Sequence, residues 1–179
     1  MTRSQWTIVG IFGLSLAAAI FGFAWRYRET RQALEFWGSE AARLIVEADH
    51  VVAMKLTSHG DAGDRQALEH GDVSYFVLDQ HDIAKAGGIT HARNALTSDK
   101  SFLWDRQVAG ESAWSYAIRF RQGEKRVTVL VDPERRLVCL RGRTKIAVIN
   151  EKIAEAFAIF LKEQFEPEDE KSNDGAAKL

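Results

Sequence analysis

The segment from Trp6 to Trp25 constrains this chain most, because about 20 consecutive residues carry no charged side chain. A helix of that length crosses the hydrocarbon core of a bilayer, which is roughly 30 Å thick. The two tryptophans bracket the segment, as expected of rings that settle at the level of the lipid headgroups. The sequence therefore predicts an N-terminal transmembrane anchor, with its flanks, over residues 1–32.

The alternative for this segment is a cleaved signal peptide. Ala17-Ala18-Ala19 offers a small-residue cleavage site. The apolar run continues beyond it through residues 20–24, whereas the apolar region of a signal peptide ends at the small residues. We therefore favour an uncleaved signal anchor and a single-pass protein of the cell inner membrane.

The side of the membrane on which the domain lies is set by two opposing rules. Arg26, Arg28 and Arg31 follow the apolar segment, whereas only Arg3 and the terminal amine precede it. An excess of arginine favours the cytoplasmic side, so we expect a cytoplasmic domain. The alternative is the usual bacterial signal anchor, which exports the chain that follows it.

The rest of the chain has the composition of one folded domain. Hydrophobic residues make up 46% of the 179 residues and charged residues 27%, enough apolar side chains to bury a core. The formal net charge of -1 gives no overall attraction to nucleic acid. The single cysteine, Cys139, excludes an intramolecular disulfide and lies in an apolar run, where we expect a core residue.

Hydrophobic periodicity predicts an α+β domain over residues 33–166. Apolar residues three and four apart predict a helix to about Asp49 with a possible break at Gly38-Ser39. The segment 58–72 is polar and is predicted to be a loop with a short helical turn. Alternating apolar residues and turn signals predict a mainly antiparallel sheet, packed against two to three helices and followed by a disordered acidic tail over residues 167–179. The predicted strands are 50–57, 73–80 and a meander over 114–142; the later helices are 89–98 and one capped by Asn150.

Two blocks, FWGSEAARLI and ITHARNALTSDKSFLW, together with the meander, resemble a family of uncharacterised single-pass membrane-anchored bacterial proteins. The resemblance covers most of the chain. It implies the same plan of anchor and domain, and it carries over no activity and no catalytic residue.

Positive charge is concentrated in the meander. Between Arg119 and Lys145, nine basic residues stand against three acidic ones. Such an excess is typical either of a solvated sheet face or of a surface for an anionic partner, for which phospholipid headgroups would be the nearest source. Nucleic acid is disfavoured because no binding motif accompanies the charge. The candidate anion-binding residues are Arg119, Arg121, Arg126, Arg135, Arg141 and Arg143.

Histidines and aspartates gather in a second region, from His59 to Asp82. They could serve a small metal-dependent hydrolase, but the histidines are about ten residues apart and form no H-x-x-x-H pair. We therefore predict no catalytic residue, metal or cofactor. The preferred hypothesis is a membrane-tethered, non-enzymatic binding or scaffolding module with an unidentified protein partner, such as an accessory subunit of an envelope complex. The residues of the alternative are His59, Asp61, Asp64, His70, Asp72, His81 and Asp82.

Overall fold

The computed structural model describes residues 16, 21, 30–59, 66–106, 108 and 113–166. The predicted anchor over residues 6–25 lies outside the described residues except for Leu16 and Phe21, which are helical and exposed. No helix within the described residues is long and apolar enough to cross a bilayer. The predicted tail, residues 167–179, also lies outside them.

The N-terminal part of the described chain is helical and breaks where the sequence predicts. Residues 30–37 form the described part of helix α1, and α2 spans Ser39–Glu47. Gly38 between them has a φ of 81°, a conformation that glycine adopts without a steric penalty. The Asp99 carboxylate accepts the backbone N–H groups of Gln32 and Ala33 at 3.0 and 2.7 Å, which ties α1 to a distant segment.

The remaining elements form one seven-stranded sheet with two further helices. Its strand order is β2-β3-β1-β4-β5-β6-β7, and every neighbouring pair is antiparallel. The α+β prediction is therefore confirmed, and Gly38 raises the number of described helical segments to four by dividing the first one. The strands are β1 His50–Thr57, β2 Ala67–His70, β3 Val73–Asp82, β4 Tyr116–Gln122, β5 Lys125–Asp132, β6 Leu137–Leu140 and β7 Ile146–Val148; the helices are α3 Ile89–Thr97 and α4 Glu151–Phe165, with a short 3-10 helix at Asp99–Ser101.

The prediction of a loop with a helical turn over 58–72 is wrong at its C-terminal end. Residues Ala67–His70 form β2 and pair with β3, Leu68 standing opposite Tyr75. Leu68 is 1% exposed and Tyr75 2% exposed, so burial of this pair stabilises a strand that its polar neighbours do not suggest.

The two faces of the sheet bury different cores. All four helical segments cover one face, where Trp37, Phe120 and Phe157 belong to a single apolar cluster. A second cluster on the other face contains no helical residue among the described ones. Its buried members are Met54, Leu56, Leu68, Tyr75, Trp114, Ala117, Leu130, Leu137, Cys139 and Val148.

The second core is enclosed because the sheet curls over it. Edge strand β2 reaches across to the end of β6. Nε2 of His70 lies 3.8 Å from Sγ of Cys139, and Nε of Arg141 donates to the carbonyl of Glu69 at 3.1 Å. The face that bears this second core is therefore concave, and Cys139 is a core residue as predicted.

Candidate anion-binding site

The alternation of β4 and β5 sends arginine side chains to the concave face. On β4, Ile118 and Phe120 are wholly buried beneath the helices, so Arg119 and Arg121 lie on the opposite face. On β5, Val129 packs into the same helix-covered core. Arg119 and Arg121, two residues apart on one strand, therefore share this face.

Strand register brings four arginines together on this face. Arg121 stands opposite Arg126, and Arg119 stands opposite Thr128. The backbone N–H of Arg141 donates to the carbonyl of Thr128 at 2.9 Å, which places Arg141 in line with Arg119 one strand further on. Since neighbouring strands are about 4.8 Å apart, the backbones of Arg119 and Arg141 are separated by about 10 Å. Arg119, Arg121, Arg126 and Arg141 are called the arginine cluster below.

Arg119 is the most enclosed member of the arginine cluster. It is half-buried, whereas Arg121, Arg126 and Arg141 are exposed. Burial lowers the pKa of Arg119, and the positive charges of Arg126 and Arg141 lower it further. None of the four arginines forms an ion pair with a carboxylate among the described residues. The cluster therefore concentrates positive charge that no ion-paired carboxylate in this part of the chain offsets.

Two cavities open on either side of the arginine cluster. One, of about 460 Å³, is lined by Arg119, Arg121 and Arg126 and by the polar side chains of His50 and Gln80. Asp82 also lines it, and one of its oxygens accepts the N–H of Ala84 at 2.9 Å.

The second cavity, of about 490 Å³, is lined by Arg119, Arg126 and Arg141 together with Gln66 and Thr128. Arg119 and Arg126 thus belong to both cavities. Sequence reasoning missed the other polar residues, His50, Gln66, Gln80 and Thr128, because their place beside the arginines depends on strand register and on the curl of the sheet.

The other two predicted arginines lie elsewhere. Arg135 is in the turn between β5 and β6, where its Nε is 3.8 Å from the Asp132 carboxylate. Arg143 donates to the carbonyl of Phe36 at 3.3 Å and lies beside Gly38, at the junction of α1 and α2. Four of the six predicted arginines therefore lie close together, and the other two lie elsewhere.

The histidines of the alternative hydrolase site are spread along the sheet. His70 in β2 pairs with Val73 of β3, and His81 lies eight residues further along that strand, about 25 Å away at 3.3 Å per residue. His81 instead hydrogen-bonds Asp79 at 3.0 Å. Asp61 and Asp64 lie outside the described residues. Within the described part of the chain, no group of three or more His, Cys, Asp or Glu side chains is placed to hold a metal ion.

Cys139 has the environment of an inert thiol. It is 0% exposed, and its Sγ donates to the carbonyls of Leu140 and Arg143 at 3.3 and 3.1 Å. Burial raises the pKa of the Cys139 thiol to about 11. Because the thiolate is the reactive form, this cysteine supplies no nucleophile at neutral pH.

No known protein family, curated protein or solved structure matches the chain. The resemblance to membrane-anchored bacterial proteins therefore stays a prediction, and the argument for function rests on the arginine cluster.

Proposed function

We propose that the domain is a non-enzymatic binding module that holds an anionic group, a phosphate or a carboxylate, against the arginine cluster. The observation that carries the proposal is Arg119, a half-buried guanidinium that has two further cations, Arg126 and Arg141, near it. Charges of one sign repel most strongly where water is partly excluded. An anion between these side chains would replace that repulsion with attraction.

Guanidinium chemistry suits this role. Each guanidinium offers five N–H donors in a planar fork that matches the oxygens of a phosphate or carboxylate. Such charge-assisted hydrogen bonds are roughly twice as strong as neutral ones. Arginine neither releases nor accepts a proton near neutral pH, so the cluster is better suited to holding an anion than to acid–base catalysis.

The predicted anchor determines which anions the domain meets first. If residues 6–25 span the inner membrane, phospholipid phosphates are the nearest polyanion, and each nearby cation contributes about 1 kcal/mol of attraction to an anionic surface. A tethered module of this kind would serve as a scaffolding or accessory subunit of an envelope complex. Free phosphate compounds offer the same chemistry from solution.

Calorimetric titration of the full-length chain with inorganic phosphate, in an uncharged detergent at low ionic strength, tests the proposal. We expect saturable binding that Arg119→Met weakens by about 10-fold or more, since a hydrogen bond to a charged group contributes about 1.5–3 kcal/mol. Methionine keeps an unbranched apolar side chain and removes the charge. The matched control is Arg135→Met, which removes an arginine from the turn and should leave the affinity unchanged.

Lipid nanodiscs separate the two sources of phosphate. If lipid headgroups occupy the cluster, the heat of phosphate binding should disappear in discs of anionic lipid and persist in zwitterionic ones. If the ligand comes from solution, both discs should give the same affinity. The proposal fails if the wild-type chain in detergent shows no saturable binding, or if Arg135→Met weakens binding as much as Arg119→Met.

A further inference from the structure

Building on the proposed function, we infer that the ligand of the arginine cluster carries two anionic groups on one backbone, one for each of the two cavities beside Arg119 and Arg126. The ligand class is therefore a compound with two phosphate-like or carboxylate groups a few ångströms apart.

The two cavities share a wall and differ in their outer residues. Arg119 and Arg126 line both. Arg121 is present only in the cavity of about 460 Å³, and Arg141 only in the cavity of about 490 Å³. Each cavity therefore offers three guanidinium groups, of which two are common.

Each cavity also has polar side chains of its own. His50 and Gln80 line the first, and Gln66 and Thr128 line the second. These side chains can hydrogen-bond the oxygens of an anion that do not face a guanidinium. Asp82 also lines the first cavity, so three arginines stand against one carboxylate there, whereas no acidic residue among the described ones lines the second. Both cavities therefore keep an excess of positive charge for an anion.

Because the two cavities share two arginines, simultaneous binding of two separate anions is disfavoured. The shared pair brings two independent monoanions close together, so they repel each other across it. Each would also lose its own translational freedom. Linking the two groups makes the second contact intramolecular, so a backbone of matching length gains affinity that neither group has alone.

The distance between the outer arginines determines which linker fits. The outer arginines are Arg121 and Arg141. Arg141 lies two strand spacings, or about 10 Å, across the sheet from Arg119, and Arg121 lies two residues, or about 7 Å, further along β4, so the backbones of the outer pair are about 12 Å apart. A linker that is too short would hold both anions in one cavity, and one that is too long would lose the advantage of linkage. Affinity should therefore depend on linker length at constant ligand charge.

The experiment compares methylphosphonate with bisphosphonates whose two groups are joined by one, three or six methylenes, titrated into the full-length chain in an uncharged detergent. We expect one length to bind at least about 10-fold tighter than methylphosphonate, which is less than the roughly 100-fold lower end of the gain for a matched bivalent ligand because the two cavities share two arginines. Arg121→Met and Arg141→Met should each reduce the affinity for that bisphosphonate to nearly the affinity for methylphosphonate. Arg135→Met should change nothing.

Arg141→Met removes the hydrogen bond to the Glu69 carbonyl and could loosen the sheet. Arg121→Met should fold in any case, because Arg121 is exposed and makes no ion pair among the described residues. Equal affinity for all three linkers, no more than about twofold above methylphosphonate, would overturn the inference and leave the proposed function standing. If methylphosphonate does not bind to the wild-type chain, both the inference and the proposed function are wrong.

Discussion

His70 is the titratable residue that joins the two ends of the curled sheet. Its Nδ1 accepts the backbone N–H of Gly142 at 3.3 Å, so the neutral ring carries its proton on Nε2, which faces Sγ of Cys139. The ring also packs edge-on against Trp114. Burial lowers the pKa of His70, and the charge of Arg141 lowers it further. A second proton on His70 would abolish the bond from Gly142 and place two cations side by side.

This geometry predicts a loss of stability in mild acid. Because the pKa of His70 is lower in the folded than in the unfolded chain, the unfolded chain binds the proton more readily below about pH 6.5. The contribution of His70 to the free energy of unfolding is therefore complete above that pH and is lost as the pH falls through the pKa of His70 in the folded chain. Thermal unfolding midpoints measured between pH 8 and 5 should fall in the wild type and fall less in His70→Gln.

The effect of His70 on the unfolding midpoint can be separated from the effect of carboxyl titration. Side-chain hydrogen bonds with His81 and Lys125 lower the pKa of Asp79 and of Glu40, and burial raises the pKa of Asp132. All three carboxyl groups are present in both proteins, so their titration does not alter the comparison. Equal slopes for the wild type and His70→Gln above pH 5 would contradict the role given to His70.

At the level of elements, the chain comes close to α4 at a glycine just before α3. Gly88 precedes α3 with a φ of 91°, and a Cβ at that position would lie 3.2 Å from the ring of Phe160 in α4. Gly87 has no positive φ, and a Cβ there would meet nothing within 4 Å. The two adjacent glycines therefore form a matched pair.

Gly88→Ala should lower the free energy of unfolding by at least about 1–2 kcal/mol, the cost of a left-handed backbone conformation for an L-residue, with displacement of Phe160 adding to it. Gly87→Ala should stay within about 0.5 kcal/mol of the wild type. Chemical denaturation of both variants measures the difference. Equal stabilities would show that the backbone at Gly88 is not held in this conformation.

The helices and strands that are determined by residues near one another in the sequence were predictable. The β-branched, apolar run over residues 50–57 predicted β1 with the bounds that the structure has. The Asn150 side chain accepts the N–H of Ile153 at 3.0 Å, the N-cap that the sequence predicts at the start of α4. Strand β2 was missed because its stability comes from pairing with β3 and from burial of Leu68, which a polar stretch does not reveal.

The arrangement of the whole molecule was beyond sequence reasoning because it rests on long-range contacts. Glu69 and His70 meet Arg141 and Gly142 across a separation of 72 residues. Alternation alone placed Arg119 and Arg121 on one face. Only the curl and the register show that Arg141 joins them, and that Arg135 and Arg143 make other contacts.

The anchor is a whole-molecule prediction that fractionation can test. The full-length protein should sediment with membranes and resist extraction by alkaline carbonate, because about 20 apolar residues insert essentially irreversibly. A variant with an arginine in place of Leu16 serves as the control and should be extracted more readily, since a charge at the centre of a span costs about 2.5–3.5 kcal/mol on insertion scales. Recovery of the intact wild type in the soluble fraction, or a mature N-terminus near Ile20, would contradict the anchor.

Binding of an anion to the arginine cluster can be followed through the side-chain N–H resonances of isotope-labelled arginine. Inorganic phosphate, or the tightest bisphosphonate, is titrated into the labelled full-length chain. We expect the Nε–H signals of Arg119 and Arg126 to shift together and saturate, while those of Arg135 and Arg143 stay in place. Signals that do not move, or that move equally for all four arginines without saturating, would show only general screening of charge and would contradict the account.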